Sequence, residues 1–222
     1  MVIAISGMIG SGKSTLSKEL NNIYNNSILV EEFSDNDEVF NTFLKWVYEQ
    51  EPNIDIAFQS YIIESLSDTF KKEEETFLNK FESHKKAYMF LDRFNIEHYI
   101  FAIVTLEKKQ QKYLKAFDIL FRHIIDTRDN PDLAIFLDAN FEVIKERILL
   151  RGRKVEVDNF EINEPYFQRL HELYKELFVK LCTFYNIPYR IINTNFKKDY
   201  EVLEEAEQII NNFDFSQSKR LK

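Results

Sequence analysis

The sequence is poor in the residues that build disulfides and membrane spans. It has a single cysteine, Cys182, among 222 residues, so a disulfide within the chain is excluded, as is usual in a reducing compartment. Its longest apolar run, around Tyr99 to Val104, is far shorter than the ~20 residues that cross a bilayer. Residues 1–5 lack the basic lead of a signal peptide. We therefore expect a cytoplasmic protein with no membrane partner.

Positive charge is also scarce. The chain has 29 Lys and Arg against 37 Asp and Glu, a formal net charge of −8. A polyanion such as DNA or RNA needs a basic surface, so we expect no nucleic-acid partner. An anionic ligand must instead be held by local positive charge. Hydrophobic residues, at 45%, suffice for the core of one domain of this length.

Short apolar segments alternate with longer segments of helical periodicity. We predict strands at residues 2–6, 28–30, 88–92, 133–138 and 189–192. We predict helices at residues 15–24, 37–50, 54–82, 109–126, 141–150 and 164–185. This alternation is typical of an α/β fold with a parallel sheet and right-handed crossovers. We expect one domain over residues 1–222, with a polar tail at about 214–222.

Glycine is rare, and the four glycines are unevenly placed. Three lie in the opening segment AISGMIGSGKSTL, which matches Gly-x4-Gly-Lys-Ser between a predicted strand and a predicted helix. In that setting backbone amides surround phosphates, Lys13 neutralises the β- and γ-phosphates, and the Ser14 hydroxyl binds Mg²⁺. The segment predicts a P-loop NTPase-type three-layer fold, with a five-stranded parallel sheet flanked by helices and with ATP and Mg²⁺ as cofactors. The residues assigned to the phosphate site are Gly7, Met8, Ile9, Gly10, Ser11, Gly12, Lys13, Ser14 and Thr15.

Charged residues follow two other predicted strands. Ligands of open α/β sheets bind beyond the carboxyl ends of the strands, where Glu31, Glu32, Asp92 and Arg93 all fall. A carboxylate after the second strand could take a proton from an attacking hydroxyl, Asp92 could hold Mg²⁺, and Arg93 could brace the transferring phosphoryl group. Two other interpretations stay open here: a pair of surface acids, and a helix N-cap aspartate followed by a surface arginine.

Basic residues cluster once more near the fourth glycine. Arg147 and Arg151 lie four residues apart and share a helix face, and Gly152 separates Arg151 from Arg153. Such a cluster suits an arginine-rich lid, at about residues 147–162, that closes over phosphate. The alternative is a solvated helix end, where basic residues favour the helix dipole.

Taken in order, these motifs resemble the deoxynucleoside kinase family, in its bacterial deoxyadenosine/deoxyguanosine kinase branch. The resemblance covers nearly the whole chain. It rests on the phosphate loop, VEEF at 30–33, YEQEP at 48–52 with FQ at 58–59, LDR at 91–93, the arginine segment at 147–156 and NTNFK at 193–197. It implies transfer of the ATP γ-phosphoryl group to the 5′-hydroxyl of a deoxynucleoside, with a purine favoured, in nucleotide salvage. It also implies a homodimer.

The resemblance assigns further roles. Glu32 is the preferred catalytic base over Glu31, and Arg93 and Lys13 also act in catalysis. The residues implied to bind the acceptor are Glu32, Tyr48, Phe58, Gln59, Arg93, His98 and Glu156. The residues implied to bind the donor outside the phosphate loop are Arg147, Arg151, Arg153, Asn195 and Phe196. Ser14 and Asp92 are the implied metal ligands.

The chain departs from the family at three positions. Where the family usually has a paired arginine and aspartate that help to read the base, this chain has Leu66 and His98. Losing both charges together avoids a lone buried charge, but it leaves the base preference open. Phe94 follows Arg93, where the family often has serine.

Two alternatives to a deoxynucleoside kinase are a nucleoside monophosphate kinase and a nucleotide switch. A nucleoside monophosphate kinase of the thymidylate type shares the loop, the Asp-Arg pair and the arginines, but Glu31 and Glu32 would repel the acceptor's own phosphate. A nucleotide switch of the GTPase kind would need a DxxG segment and an NKxD-type base loop, and the sequence has neither.

Overall fold

Five parallel strands form the central sheet of the computed structural model, which describes residues 1–32, 37–81, 87–218 and 220. The strands are β1 (Val2–Gly7), β2 (Ser27–Val30), β3 (Tyr88–Asp92), β4 (Leu133–Asp138) and β5 (Tyr189–Asn193). Their order in the sheet is β2-β3-β1-β4-β5. All five predicted strands are confirmed to within one residue at either end. Buried parallel strands are readable from sequence because both faces demand apolar residues.

Helices cover both faces of this sheet. Within the described part of the chain they are α1 (Lys13–Ile23), α2 (Glu38–Tyr48), α3 (Asp55–Lys80), α4 (Asn95–Leu106), α5 (Gln111–Ile124), α6 (Phe141–Arg151), α7 (Lys154–Val157), α8 (Phe160–Phe184) and α9 (Asp199–Asn212). None of the helices described here is long and apolar enough to cross a membrane. The predicted α/β architecture of a parallel sheet between helices is confirmed.

Three helices lack a counterpart among the predicted elements: α4, α7 and α9. Helix α4 packs against α3, α5 and α8 at once, so it is buried on nearly every face. A helix that is apolar on every face lacks the amphipathic periodicity by which helices are predicted, so this segment shows only an apolar run in the sequence. Helix α8 begins at Phe160, four residues before the predicted start, and carries Pro165 within its second turn.

Two layers of core lie on the two faces of the sheet. One cluster of buried side chains lies between the sheet and the helices α4 and α8, and the other between the sheet and the helices α1 and α9. Because β1 pairs with both β3 and β4, it lies at the centre of the sheet, with Ile5 beside Asp92 and Ile135. The loop after β1 therefore emerges at the middle of the sheet's carboxyl edge, between the ends of β3 and β4.

Part of the predicted polar tail packs against the domain. Residues Phe215–Gln217 form a short 3-10 helix, and the Arg220 side chain is only 7% exposed. The Arg220 guanidinium contacts Glu74 and Asp132 and donates hydrogen bonds to the carbonyls of Asn130 and Arg128. The predicted polar tail is thus packed on the domain at Arg220, whose partners lie about ninety residues or more away in sequence.

Candidate active site

The loop after β1 has the backbone that a phosphate-binding loop requires. Gly7 has a φ of 141°, and a Cβ at this position would lie 2.7 Å from the Leu137 carbonyl oxygen, so only glycine fits. Gly12, with a φ of 99°, leads into α1. The positive end of α1 therefore faces the loop, as in other anion-binding helix starts.

Lys13 is buried inside this loop. Its ammonium donates to the Met8 carbonyl oxygen at 3.0 Å, and the side chain is 6% exposed. Burial is the main reason that the pKa of Lys13 falls to about 8; Arg93 lowers it further, while Asp92 and Glu32 raise it. A lysine held in this way gains most from an incoming phosphate, which would restore its charge.

Asp92 and Ser14 meet where β3 ends. The Ser14 hydroxyl donates to Asp92 Oδ2 at 2.5 Å, and Asp92 is 6% exposed. Its other oxygen, Oδ1, is buried without a hydrogen-bond partner among the described residues. A hydroxyl and an unsatisfied carboxylate oxygen beside a phosphate loop fit the oxygen ligands that Mg²⁺ prefers. In the part of the chain that the structure describes, no three Asp, Glu, His or Cys side chains are placed to hold a metal ion together, so Mg²⁺ here would rely on water and phosphate for its other ligands.

Arg93 lies at the centre of the site rather than on the surface. Its side chain is 2% exposed, and its Nε lies 3.0 Å from Glu32 Oε1. The guanidinium also donates to the Tyr174 hydroxyl and lies 4.7 Å from the centre of the Phe101 ring. The N-cap of α4 is Phe94, not Asp92. The alternative of a capping aspartate followed by a surface arginine is therefore wrong.

The two glutamates after β2 have different surroundings. Glu31 pairs with Lys18 at 2.7 Å, and its side chain is half exposed. Glu32 is 26% exposed and faces Arg93 and the Nε2 atom of His98, at 3.0 and 3.7 Å. The structure thus brings Glu32, and not Glu31, to the buried arginine. Of the neighbouring segment compared with the family, Phe33 and Asn36 lie outside the described residues.

A cavity of about 820 Å³ opens beside this pair, within the range of small-molecule sites. It is lined by all seven residues predicted to bind the acceptor, namely Glu32, Tyr48, Phe58, Gln59, Arg93, His98 and Glu156. Gln59 is 3% exposed, and its Oε1 has no hydrogen-bond partner in the described residues. Phe58 stacks on Phe43 with ring centres 5.5 Å apart. We name this space the acceptor cavity.

His98 is a neutral group in the acceptor cavity. It is 1% exposed, and burial first, then Arg93 and Lys13, hold the pKa of its imidazole well below 6.5. Its ring stacks on Phe101 with centres 5.9 Å apart. A neutral imidazole can donate one hydrogen bond and accept another, so His98 can form hydrogen bonds with a ligand without adding a charge to the cavity.

At the cavity's rim, Glu156 binds both nearby arginines. It is 1% exposed, Arg151 donates to its Oε2, and the Arg153 Nη1 lies 3.4 Å from its Oε1. Tyr48 is also buried, and burial first, then the Glu156 charge, raises its pKa well above 10. Gly152, with a φ of 68°, ends α6 between the two arginines. The movement of a lid here stays a prediction.

A second cavity, of about 420 Å³, lies on the other side of the phosphate loop. Its lining includes Gly10, Ser11, Gly12, Lys13, Ser14, Thr15, Arg147 and Arg151. Arg147 is held by the protein itself: it donates to Thr194 O at 2.8 Å, to Thr194 Oγ1 at 3.0 Å and to Ser11 O at 3.4 Å. We name this space the donor cavity.

Of the remaining predicted donor residues, Arg153 lines the acceptor cavity instead, and Asn195 and Phe196 follow β5. Asn195 accepts a hydrogen bond from the Asn140 backbone at 2.6 Å, at the start of α6. Phe196 is 95% exposed. Neither lines the donor cavity, but their neighbours Thr194 and Lys197 do. Met8, also predicted for this site, is a buried core residue that contributes its carbonyl to Lys13, and Ile9 lines the acceptor cavity instead.

Two polar residues of the site were missed by the sequence analysis, Glu97 and Tyr174. Glu97 is fully buried on α4 and Tyr174 is 1% exposed on α8, and both contact Arg93. One signal for Glu97 was available: it is a charged residue next to the most apolar run of the chain, four residues after Arg93. No local pattern points from Arg93 to Tyr174, which lies 81 residues further on.

A phosphate loop between two adjoining cavities defines a P-loop enzyme that can bring a nucleotide and a second small molecule together. The family model described as "Deoxynucleoside kinase" matches residues 3–214 of this chain. The chain therefore belongs to the deoxynucleoside kinase family, and it is an ATP-dependent deoxynucleoside kinase.

Individual relatives agree with this assignment. The deoxyadenosine kinase of Dictyostelium discoideum is 29% identical over 176 residues, which are 78% of this chain and 65% of that one. The deoxyguanosine kinase of Bacillus subtilis is 27% identical over 172 residues, or 76% and 73% of the two chains. A solved deoxyadenosine kinase from M. mycoides superposes with a TM-score of 0.77 at 23% identity, covering 96% of this chain and all of that one. At that identity the superposition shows the fold alone.

Proposed function

We propose that this chain transfers the γ-phosphoryl group of ATP to the 5′-hydroxyl of a purine deoxynucleoside. The observation that carries this proposal is the Glu32–Arg93 ion pair, which lies in the acceptor cavity next to the phosphate loop. A carboxylate held by a buried arginine beside the phosphates suits proton removal from an attacking alcohol. The names of the relatives, which act on deoxyadenosine and deoxyguanosine, favour a purine.

In this proposal the base and sugar of the acceptor are held by named side chains. The Gln59 amide, which offers a donor and an acceptor at once, reads the base edge. Phe58 contacts the base, supported from behind by Phe43. Tyr48 and Glu156 bind the 3′-hydroxyl, since a buried carboxylate next to a buried phenol can accept a hydrogen bond from a sugar hydroxyl.

The chemistry follows from positioning and charge. Glu32 accepts the proton of the 5′-hydroxyl as the hydroxyl oxygen bonds to the γ-phosphorus and the bond from that phosphorus to ADP breaks, and Arg93 keeps the carboxylate in place. Lys13, Arg151 and Arg153 neutralise the charge that develops on the phosphoryl oxygens. Ser14 and Asp92 would hold Mg²⁺, which would supply further positive charge to the β- and γ-phosphates.

The test is transfer of radiolabelled phosphate from ATP to a panel of acceptors. The panel contains the four deoxynucleosides, the matching ribonucleosides and the deoxynucleoside monophosphates. We expect deoxyadenosine and deoxyguanosine to be phosphorylated best. Preference for a monophosphate would support the thymidylate-type alternative, and steady ATP hydrolysis without any acceptor would support a nucleotide switch.

We also propose that the enzyme works in the cytoplasm as a homodimer and serves nucleotide salvage. The single cysteine, Cys182, is buried and unbonded, which suits a reducing compartment. Light scattering of the purified chain tests the dimer directly, with a mass near twice 26.7 kDa as the expected result.

A further inference from the structure

Glu97 is a fully buried carboxylate surrounded by hydrogen-bond donors. Its Oε2 accepts the backbone N–H of Gly7 at 3.0 Å and the Tyr174 hydroxyl at 2.7 Å. The same oxygen lies 3.6 Å from Nη1 of Arg93, and Oε1 lies 3.4 Å from the Phe94 nitrogen. Since every one of these partners donates, the arrangement suits the ionised form of Glu97.

Arg93 is thereby shared between two carboxylates that approach different nitrogens. Glu32 faces Nε from the acceptor cavity, and Glu97 approaches Nη1 from the core. We propose that Glu97 is a positioning residue that divides the charge of Arg93 with Glu32 and ties this arginine to the phosphate loop through Gly7. The inference rests on the proposed role of Glu32 as the base.

The charge count explains why two carboxylates are needed. A single carboxylate facing a desolvated arginine has its pKa lowered, so it becomes a poor proton acceptor. With Glu97 ionised, as its hydrogen-bond donors favour, the three groups carry a net charge of −1, so Arg93 aligns Glu32 without neutralising it. Glu97 thus takes up part of the positive charge of Arg93, while the arginine keeps Glu32 in position.

Other titratable groups surround the pair. The pKa of Glu97 is raised overall, by burial, although Arg93, Lys13, the Gly7 amide and the Tyr174 hydroxyl oppose the rise and favour the ionised form. Glu32 faces Arg93 and the neutral His98, and it interacts electrostatically with Lys13 and Tyr174. Asp92 acts on both Lys13 and Arg93. Of these groups, only Glu97 is a second acid that contacts Arg93 from the core side.

The hydrogen bond from Gly7 gives Glu97 a second role, which is to hold the phosphate loop. Gly7 is the first glycine of the phosphate loop, and its conformation is enforced by the approach of the Leu137 carbonyl. One carboxylate therefore bonds the loop that holds the donor and contacts the arginine that holds the base. Misalignment between the two would slow transfer even with both substrates bound.

The test is the titration of Glu32 in the free protein. Carboxyl carbons are labelled with ¹³C and assigned through the backbone, and the pH is varied in the wild type and in Glu97→Gln. We expect the Glu32 carboxyl to titrate at lower pH in the variant than in the wild type, because the second negative charge is gone. An unchanged Glu32 titration would overturn the proposal.

Kinetics provide a second readout that a merely structural role would not move. In Glu97→Gln the acidic limb of the kcat profile should shift to lower pH together with Glu32, and the plateau of kcat should fall roughly tenfold. The KM for ATP should change by less than about twofold, because the amide oxygen can still accept from Gly7. Glu97→Asp keeps the charge and should restore the position of the acidic limb.

The matched control is Glu107→Gln, which removes a carboxylate at the C-cap of the same helix, where it pairs with Arg169 on the surface. It should leave the Glu32 titration unchanged. If Glu97→Gln does not fold, the wild-type resonance of Glu97 decides: an ionised carboxylate across the working pH range is required, and a protonated one overturns the inference. If the wild type phosphorylates no deoxynucleoside, the proposed function fails, while the titration still tests the shared arginine.

Discussion

Two buried arginines, at opposite ends of the sheet, have similar partners and different surroundings. Arg93 lies at the carboxyl ends of the strands between Glu32 and Glu97, and Arg220 lies at the amino ends between Glu74 and Asp132. Their side chains are 2% and 7% exposed. A buried arginine that contacts two acidic side chains is therefore not by itself evidence of an active site.

The difference lies in what the rest of each guanidinium meets. Arg220 donates to two backbone carbonyls, so its cluster is closed by the protein itself. Arg93 lines a cavity of about 820 Å³, and the neighbouring Asp92 Oδ1 and Gln59 Oε1 lack partners among the described residues. A satisfied cluster stabilises a fold, whereas a cluster with unsatisfied acceptors facing open space suits a ligand. The predictions below test that division.

The largest effect on activity is expected at Glu32, which lies beside Arg93 in the acceptor cavity. Glu32→Gln should lower kcat by about 10²- to 10⁴-fold, since the amide cannot accept the hydroxyl proton. The affinity for ATP, measured by calorimetry, should stay within about twofold, because the phosphate loop is untouched. The matched control is Glu31→Gln, whose partner is the exposed Lys18. Full activity of Glu32→Gln with loss of activity in Glu31→Gln would move the base to Glu31.

A pH dependence is the next prediction. The pKa of Lys13 in the free protein is about 8, so the lysine is charged below that pH and loses its charge above it. Triphosphate binds best to the charged form, so the Kd for ATP should be flat from pH 7.5 to 8 and then rise by up to about tenfold per pH unit. Fluorescence titration with an ATP analogue between pH 7.5 and 9.5 measures it.

Two controls separate Lys13 from other groups that titrate in this range. Lys13→Met should bind ATP weakly and with no pH dependence in the same window. AMP, which lacks the β- and γ-phosphates, should bind the wild type without this dependence. Equal ATP affinity at pH 7.5 and 9.5 in the wild type would contradict the assignment of Lys13 to the phosphates.

The sequence alone predicted contiguous segments of the site better than contacts between residues that are distant in sequence. The sequence predicted the five strands, the phosphate loop and the Asp92-Arg93 pair. Each of these is a short contiguous segment in which the structure restricts the residue type at every position. Glu97 could not be assigned, because its role depends on Arg93 being buried and on Tyr174 approaching from α8. Likewise Arg220 depends on Glu74, 146 residues earlier. Periodicity reports faces of local elements, not pairs that the fold brings together.

The choice between Glu31 and Glu32 illustrates the same limit. Adjacent residues at the end of a strand point in different directions, so one of the two must face away from the other's partner. The resemblance to the family favoured Glu32, and the contact with Arg93 agrees with that preference. The residues alone left both glutamates open.

A smaller effect on activity is expected at Phe196, which lies near the donor cavity but does not line it. Phe196 is 95% exposed next to Thr194 and Lys197, which line that cavity, and an aromatic ring held in water is suited to stack on a base. Phe196→Ala should raise the KM for ATP roughly tenfold with little change in kcat, in steady-state assays. Tyr200→Ala, which removes another exposed ring at the start of α9, is the control and should leave both values unchanged. Equal effects of the two variants would remove Phe196 from the donor site.

The smallest effect on catalysis is expected at Arg220, although the cluster there resembles that of Arg93. Arg220→Met keeps the length of the side chain but leaves Asp132, which is 7% exposed, without the guanidinium, so the free energy of unfolding should fall by about 1–3 kcal/mol in urea titrations. The kcat and both KM values should stay within about twofold at a temperature where the variant is folded. Arg122→Met, which removes an exposed arginine that pairs with Asp118, should leave the urea midpoint unchanged. Loss of activity in folded Arg220→Met would mean that the amino ends of the strands communicate with the site, and the division between a closed and an open arginine cluster would no longer hold.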